Sequence, residues 1–225
     1  MSIFVISDLH LSFGTNKPME IFGWTNHIER LTANWNRLIK PEDTVVLPGD
    51  FSWALKTEEA LEDFLFLESL PGKKVILKGN HDLWWSTVNK NTLFFEKHGI
   101  KSVTMLYNNA IPVEGFAVCG TRGWLMSGSA DDKKIIAREA GRLERSLVSG
   151  EMLGLPLLVF MHYPPAYGTE VCTEFIDALK KHSVDKVFYG HIHGPGYNNA
   201  IPEYDGIKLK LTSCDCMNFV PFLIK

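Results

Sequence analysis

Cysteine is scarce: only four occur in 225 residues. Cys119 and Cys172 stand alone, which excludes a secreted disulfide framework and fits thiols of a reducing cytosol. Cys214 and Cys216 fall in a strand-like stretch, where period two puts both on one face. With no second cysteine pair or nearby histidine, they read as small core residues rather than a metal or redox pair. Long apolar runs are lacking as well. None approaches the roughly 20 residues needed to cross a bilayer, and the N-terminus reaches Asp8 too soon, without basic residues, for a signal peptide. Charge of one sign is also missing. The 23 basic and 26 acidic side chains leave a formal charge of -3, and no Lys/Arg-rich stretch offers a groove, so nucleic acid is not an expected partner. Internal repeats, low-complexity tracts and linkers are absent. What is present is 45% hydrophobic and 22% charged residues, enough apolar material for a full core and for one domain over residues 1–225. The expectation is a soluble, cytoplasmic protein.

Short apolar runs alternate with helical patterns. Ile3–Ser7, Thr44–Leu47, Lys74–Leu77, Phe116–Cys119, Leu157–Met161 and Lys186–Tyr189 read as buried strands. Between the first two, Trp24, Ile28, Leu31, Trp35 and Leu38 share one helix face, which places Trp24 and Trp35 in the core. Further helices are expected from Thr57 to before Pro71-Gly72, from about Trp84 to His98, from Asp131-Asp132 to Gly150, and over roughly Glu170–Lys181. After Gly196 the pattern turns strand-like, with Asp205-Gly206 as a hairpin turn between Asn198–Tyr204 and Ile207–Thr212. Phe219–Ile224 can add a last strand. This predicts an α/β domain with a mixed sheet or two packed sheets.

The polar residues gather just after these runs, where ligands of α/β sheets sit. The first strand leads to Asp8-Leu9-His10, the second to Gly49-Asp50, and the third to Gly79-Asn80-His81-Asp82. The fifth leads to His162 and the sixth to Gly190-His191-Ile192-His193-Gly194. The one-residue spacing lets Asp8 and His10, and likewise His191 and His193, point to one side if the chain stays extended. Carboxylates, imidazoles and the Asn80 amide form a mixed O/N set suited to Mn²⁺, Fe or Zn²⁺. There are more ligands than one ion needs, and a carboxylate such as Asp50 can serve two metals. A lone His or Asp is usually an ordinary polar residue; five such motifs in order are not.

In that order, Asp-x-His, Gly-Asp, Gly-Asn-His-Asp, His and Gly-His-x-His resemble the calcineurin-like metallophosphoesterases, over most of the chain. The resemblance implies a four-layer α/β/β/α sandwich of two mixed β-sheets flanked by helices, with two divalent metals over the strand ends. It implies that Asp8, His10, Asp50 and His193 bind the first metal and that Asp50, Asn80, His162 and His191 bind the second. His81 would contact substrate phosphate and protonate the leaving group, with Asp82 orienting it. The implied activity is hydrolysis of a small-molecule phosphodiester or phosphomonoester by a metal-activated water. The alternative is a metal-binding interaction or regulatory module of the same fold without turnover. Phosphoprotein phosphatases of this superfamily carry an acidic residue and an Arg soon after Gly-Asp, and an Arg before Gly-Asn-His; Phe51-Ser52-Trp53 and Lys78 stand there. Purple acid phosphatases lack the His of the first motif, which is present as His10. The pattern is closer to the small bacterial phosphoesterases and cyclic-nucleotide phosphodiesterase-like members.

Six tryptophans are many for this length. For Trp53, Trp84, Trp85 and Trp124, which follow strand ends, packing under the loops and lining a pocket wall both remain open. Arg122, in Thr121-Arg122-Gly123-Trp124, is the loop guanidinium placed to clamp a second phosphate oxygen. His27, His98 and His182 read as surface or helix-end residues.

Overall fold

The computed structural model describes residues 1–125 and 129–225. In chain order the elements are β1 (Ile3–Val5), α1 (His27–Leu38), β2 (Thr44–Pro48), α2 (Leu61–Ser69), β3 (Lys73–Leu77), α3 (Val88–His98), β4 (Val103–Met105), β5 (Ile111–Val113) and β6 (Phe116–Thr121). Then follow α4 (Asp132–Met152), β7 (Leu157–Met161), β8 (Ala166–Tyr167), β9 (Glu170–Val171), α5 (Thr173–Lys181), β10 (Lys186–Tyr189), β11 (Glu203–Tyr204), β12 (Ile207–Leu211) and β13 (Phe222–Leu223).

Two large mixed sheets result, β13-β1-β2-β3-β4 and β11-β12-β10-β7-β6-β5. β1 to β4 run parallel with β13 antiparallel at the edge. In the second sheet β6, β7, β10 and β12 are parallel, bordered by antiparallel β5 and β11. The alternation along each strand explains the layering. Ile3, Val5, Val46, Val75, Val118, Phe160 and Phe188 form one buried cluster between the sheets. Their neighbours Phe4, Val45, Leu47 and Ile76 face the other way, into a cluster with Leu31 and Trp35 of α1, Phe64 of α2 and Phe95 of α3. Val159, Met161, Val187 and Tyr189 likewise meet Leu143 and Leu147 of α4 and Phe175 of α5. Strands covered on both faces must be apolar throughout, hence the continuous hydrophobic runs. The layers are helix, sheet, sheet, helix, as expected.

Several boundaries differ from the pattern, each for a local reason. α2 starts four residues late because the Thr57 hydroxyl donates to the Trp84 carbonyl at 2.9 Å instead of capping a helix. α3 starts at Val88, where Thr87 accepts the Lys90 N–H, and Trp84 and Trp85 stay buried in the preceding loop. Glu170–Val171 pairs with Ala166–Tyr167 rather than opening α5. Gly194–Asn199 forms a 3-10 helix led by Pro195, leaving only Glu203–Tyr204 extended before the Asp205-Gly206 turn. β4 and β5 escaped the pattern, being three residues each. Cys214 and Cys216 lie in a turn and not a strand. Cys214 is buried with its Sγ against the Asp8 carbonyl at 2.9 Å, while Cys216 is half-buried. No helix among the described residues is long and apolar enough to cross a membrane.

Candidate metal centre

The strands stop short of the polar motifs, and the chain then turns sharply. Asp8 (φ 59°), His10 (φ 48°), Asp50 (φ 52°) and His191 (φ 70°) all adopt the left-handed region. The Asp-x-His and His-x-His segments are therefore not extended, and each pair is aimed by strained turns rather than strand alternation. The loops can converge because two glycines leave room. A Cβ on Gly79 would come within 2.1 Å of Asp50 Oδ1, and one on Gly190 within 2.2 Å of Asp8 Oδ2. No side chain fits at either place.

Two groups of ligand atoms result. Asp8, His10 and His193 place one atom each within 4.8 Å of one another, and so do Asp50, His162 and His191. In the first group, His193 Nε2 lies 3.3 Å from Asp8 Oδ1 and 3.4 Å from His10 Nε2. In the second, Asn80 Oδ1 lies 2.7 Å from His162 Nε2 and 2.9 Å from His191 Nδ1. Asp50 joins them: its Oδ2 is 3.8 Å from His10 Nε2 and 3.5 Å from His162 Nε2, while its Oδ1 accepts the His81 N–H at 2.7 Å.

Around these atoms the protein fixes tautomers. His162 Nδ1 donates to the Pro48 carbonyl at 3.0 Å, so its Nε2 presents a lone pair to the site. His193 Nδ1 donates to Asp215 Oδ1 at 2.9 Å. Asp8 accepts hydrogen bonds from the Ser7 and Ser213 hydroxyls and the His191 N–H. Burial pushes His162 down to about 3 and His191 to about 4, and pushes His10 well below an ordinary imidazole. Burial and the Asp8 and Asp82 charges raise Asp50 well above the usual carboxylate range. For His193, burial is outweighed by the Asp215 and Asp8 hydrogen bonds, which lift it to about 10. Asp8, despite burial, is held below the ordinary carboxylate value by His193.

The donor set fits divalent cations. The His162 Nε2 lone pair faces the oxygens of Asn80 and Asp50, acceptor against acceptor, and buried His10 Nδ1 has no partner. Converging lone pairs and crowded carboxylates are what a cation relieves.

His81 sits half-buried at the edge, its ring 4.3 Å from Trp53 and 5.6 Å from His10 between centroids. Burial and the Lys17 charge lower its pKa. Asp82 does not orient the His81 ring: among the described residues no hydrogen bond joins them. Its buried carboxylate instead accepts the N–H groups of Asp50, Phe51, Ser52 and Gly79 and the Trp84 indole N–H, bracing the Asp50 loop from below.

The tryptophans divide. Trp53 stacks on His10 at 4.6 Å and, with Trp24, Met19 and Phe22, walls an aromatic cavity of about 540 Å³ beside His10, His81 and His193. Trp84 packs under the loop, and Trp124 packs on Tyr163 and donates to Asp132. Trp24 departs from the helical pattern: it precedes α1, and its ring lies 5.8 Å from His10 and 5.4 Å from His193. Arg122 lines a different, basic cavity of about 350 Å³. Asp215 and Trp24 are not legible as site residues in the sequence, because both reach His193 through tertiary contact.

A family model described as calcineurin-like phosphoesterase matches residues 1–195. Among solved structures, the chain is similar to a protein of unknown function from Aquifex aeolicus, at 16% identity and a TM-score of 0.53, covering 99% of this chain and 95% of that one. It is also similar to a phosphopantetheinyl hydrolase from Mycobacterium tuberculosis, at 16% identity and a TM-score of 0.50, covering 94% and 88%. A Thermus thermophilus protein, TT1561, aligns at 14% identity with a TM-score of 0.58, again covering 94% and 88%. At these identities the likeness is one of fold. No curated protein matches the chain.

Proposed function

Because this chain belongs to the calcineurin-like phosphoesterases, we propose that it is a dinuclear metal-dependent phosphohydrolase acting on a small phosphate ester through the single domain of residues 1–225. Asp8, His10, Asp50 and His193 hold the first cation; Asp50, Asn80, His162 and His191 hold the second. The observation that carries this reading is Asp50 Oδ2, which faces an imidazole nitrogen of each group at 3.8 and 3.5 Å. When bound, two cations supply Lewis acidity, offsetting phosphate charge and lowering the pKa of an attacking water.

The chain's own residues do the rest. The Pro48 carbonyl and the Asp215 carboxylate fix which nitrogen of His162 and His193 faces the site. Asp82 holds the backbone of Asp50 through Ser52, so the shared carboxylate stays aimed. His81 stands at the mouth with no hydrogen bond to its ring nitrogens among the described residues, free to give a proton to the leaving oxygen. Burial works against its protonation, and a phosphate anion beside it favours the charged form again. Trp53 and Trp24 line the cavity that would receive the organic part of the ester, so a flat or apolar group suits it.

The test pairs elemental analysis after Mn²⁺ loading with hydrolysis of phosphomonoesters, phosphodiesters and cyclic nucleotides at equal metal content. Two cations per chain and metal-dependent turnover on one of these classes are expected. A fully loaded protein with no turnover on any class would leave a metal-binding module without catalysis.

A further inference from the structure

The basic cavity has no part in the hydrolysis described above. It lies between the ends of β3 and β6 and the flank of α4, with Lys78, Arg122, Arg138 and Arg142 on its walls and Glu139 as their one acidic companion. Glu139 is fully enclosed and amply supplied with donors. Its carboxylate accepts the Thr121 hydroxyl at 2.8 Å and Arg142 Nη1 at 2.6 Å, with Arg122 Nη2 at 3.6 Å and Arg138 Nε at 3.8 Å. One carboxylate cannot neutralise three guanidiniums. Lys78 adds a fourth positive charge, and among the described residues its ammonium makes no hydrogen bond or ion pair. Arg122 Nε is buried without an acceptor. In a chain whose formal charge is -3, this is a concentrated local excess of cations with an unmet buried donor. An anion relieves both.

The cavity adjoins the second ligand group through the chain. Lys78 directly precedes Gly79-Asn80, the Thr121 carbonyl accepts the His162 N–H at 3.3 Å, and the Arg122 carbonyl accepts the Tyr163 N–H at 2.8 Å. None of the residues proposed as metal ligands lines it. Guanidinium forks suit tetrahedral oxyanions, and a lysine adds a point charge.

We propose that this cavity is a site for a phosphate-class oxyanion, held by Lys78, Arg122 and Arg142. Two sources share that chemistry: the second phosphate of a doubly phosphorylated substrate, and free inorganic phosphate or pyrophosphate. Only the first rests on the phosphoesterase reading.

Calorimetric titration of the full chain with inorganic pyrophosphate tests the site, and it reads binding rather than hydrolysis, so it stands or falls separately from that reading. Binding is expected to survive Asp50→Asn, which weakens the metal centre, and to weaken about tenfold or more in Lys78→Gln and in Arg142→Gln at unchanged metal content. Lys78→Gln breaks no hydrogen bond or ion pair among the described residues, so it carries the test if Arg142→Gln disturbs α4. A second arm compares kcat/KM for two esters differing by one remote phosphate. A gain from that phosphate which Lys78→Gln removes identifies the substrate as source; no gain, with pyrophosphate still bound, identifies the free anion. Equal pyrophosphate affinity in wild type and both cavity variants, or no binding at millimolar concentration, overturns the site.

Discussion

His162 is completely enclosed and gives its Nδ1 proton to a backbone carbonyl, whereas His193 keeps 30% of its side chain exposed and gives its Nδ1 proton to the Asp215 carboxylate. The two groups thus fix an imidazole against different acceptors. Around Asp50, His162 and His191 burial holds both imidazoles neutral, His162 fully enclosed and His191 half-buried, and the neighbouring cavity is basic. Around Asp8, His10 and His193 a carboxylate stands behind the histidine, and the neighbouring cavity is aromatic. The difference teaches that the two groups hold protons differently: a carboxylate partner strengthens a histidine's hold on a cation, and also on a proton, whereas a carbonyl partner leaves the buried imidazole neutral.

Asp50→Asn is expected to erase the distinction, because Asp50 Oδ2 faces an imidazole Nε2 of each group. Both cations should be weakened at once and turnover should fall by more than about 10³-fold, beyond the loss of a single oxyanion donor; metal analysis and steady-state rates check this, and full occupancy at full rate would dismiss the shared carboxylate. His81→Gln acts on neither group. It should retain both metals, lose about 10²–10⁴-fold on an alkyl ester and far less on a nitrophenyl ester, whose leaving group needs no proton. Equal losses on both esters would make His81 a phosphate contact instead.

Asp215→Asn sharpens the comparison, since it touches only the first group. Metal titration should find one of the two sites weakened by about 10–100-fold and the other unmoved. A milder effect separates the groups by pH. His193, at about 10 in the metal-free chain, must lose its proton to bind, whereas His162 and His191, at about 3 and 4, are already neutral. Affinity at the first group should therefore rise by about tenfold per pH unit from 7 to 9 as His193 gives up its proton, and more steeply than at the second, whose imidazoles have none to lose; the raised Asp50 carboxylate is common to both. The smallest effect belongs to the aromatic wall: Trp53→Leu should raise KM several-fold for esters bearing a flat group, from ring contacts worth about 0.5–1.5 kcal/mol, and leave small aliphatic esters nearly unaffected.

The amino-acid sequence carried the strands and their polar sequels well, because strands buried on both faces are written as unbroken apolar runs; β7 and β10 match the expected limits to the residue. It carried far less about what lies behind the ligands. Asp215 reaches His193 across 22 residues of chain, and Trp24 reaches the site by leaving the helix whose period it matched. Lys78, Arg122, Arg138 and Arg142 form no basic stretch, and only the meeting of β3, β6 and α4 brings them to one cavity. Asp82 stands in a recognisable motif beside His81, yet its carboxylate serves five N–H groups that no spacing rule reveals. Local pattern is readable from periodicity, and tertiary company is not.

The left-handed turns at Asp8, His10, Asp50 and His191 carry a consequence for how such a site can change over evolutionary time. Aspartate, asparagine and histidine are the side chains that tolerate this backbone best after glycine, and all three also serve as cation ligands. The alphabet for shape and the alphabet for binding overlap at these positions. A drift to asparagine forfeits charge but keeps the turn, so inactive descendants can persist with the architecture intact. A drift to valine or isoleucine forfeits both together, and selection on folding alone would remove it even after any need for the chemistry had gone.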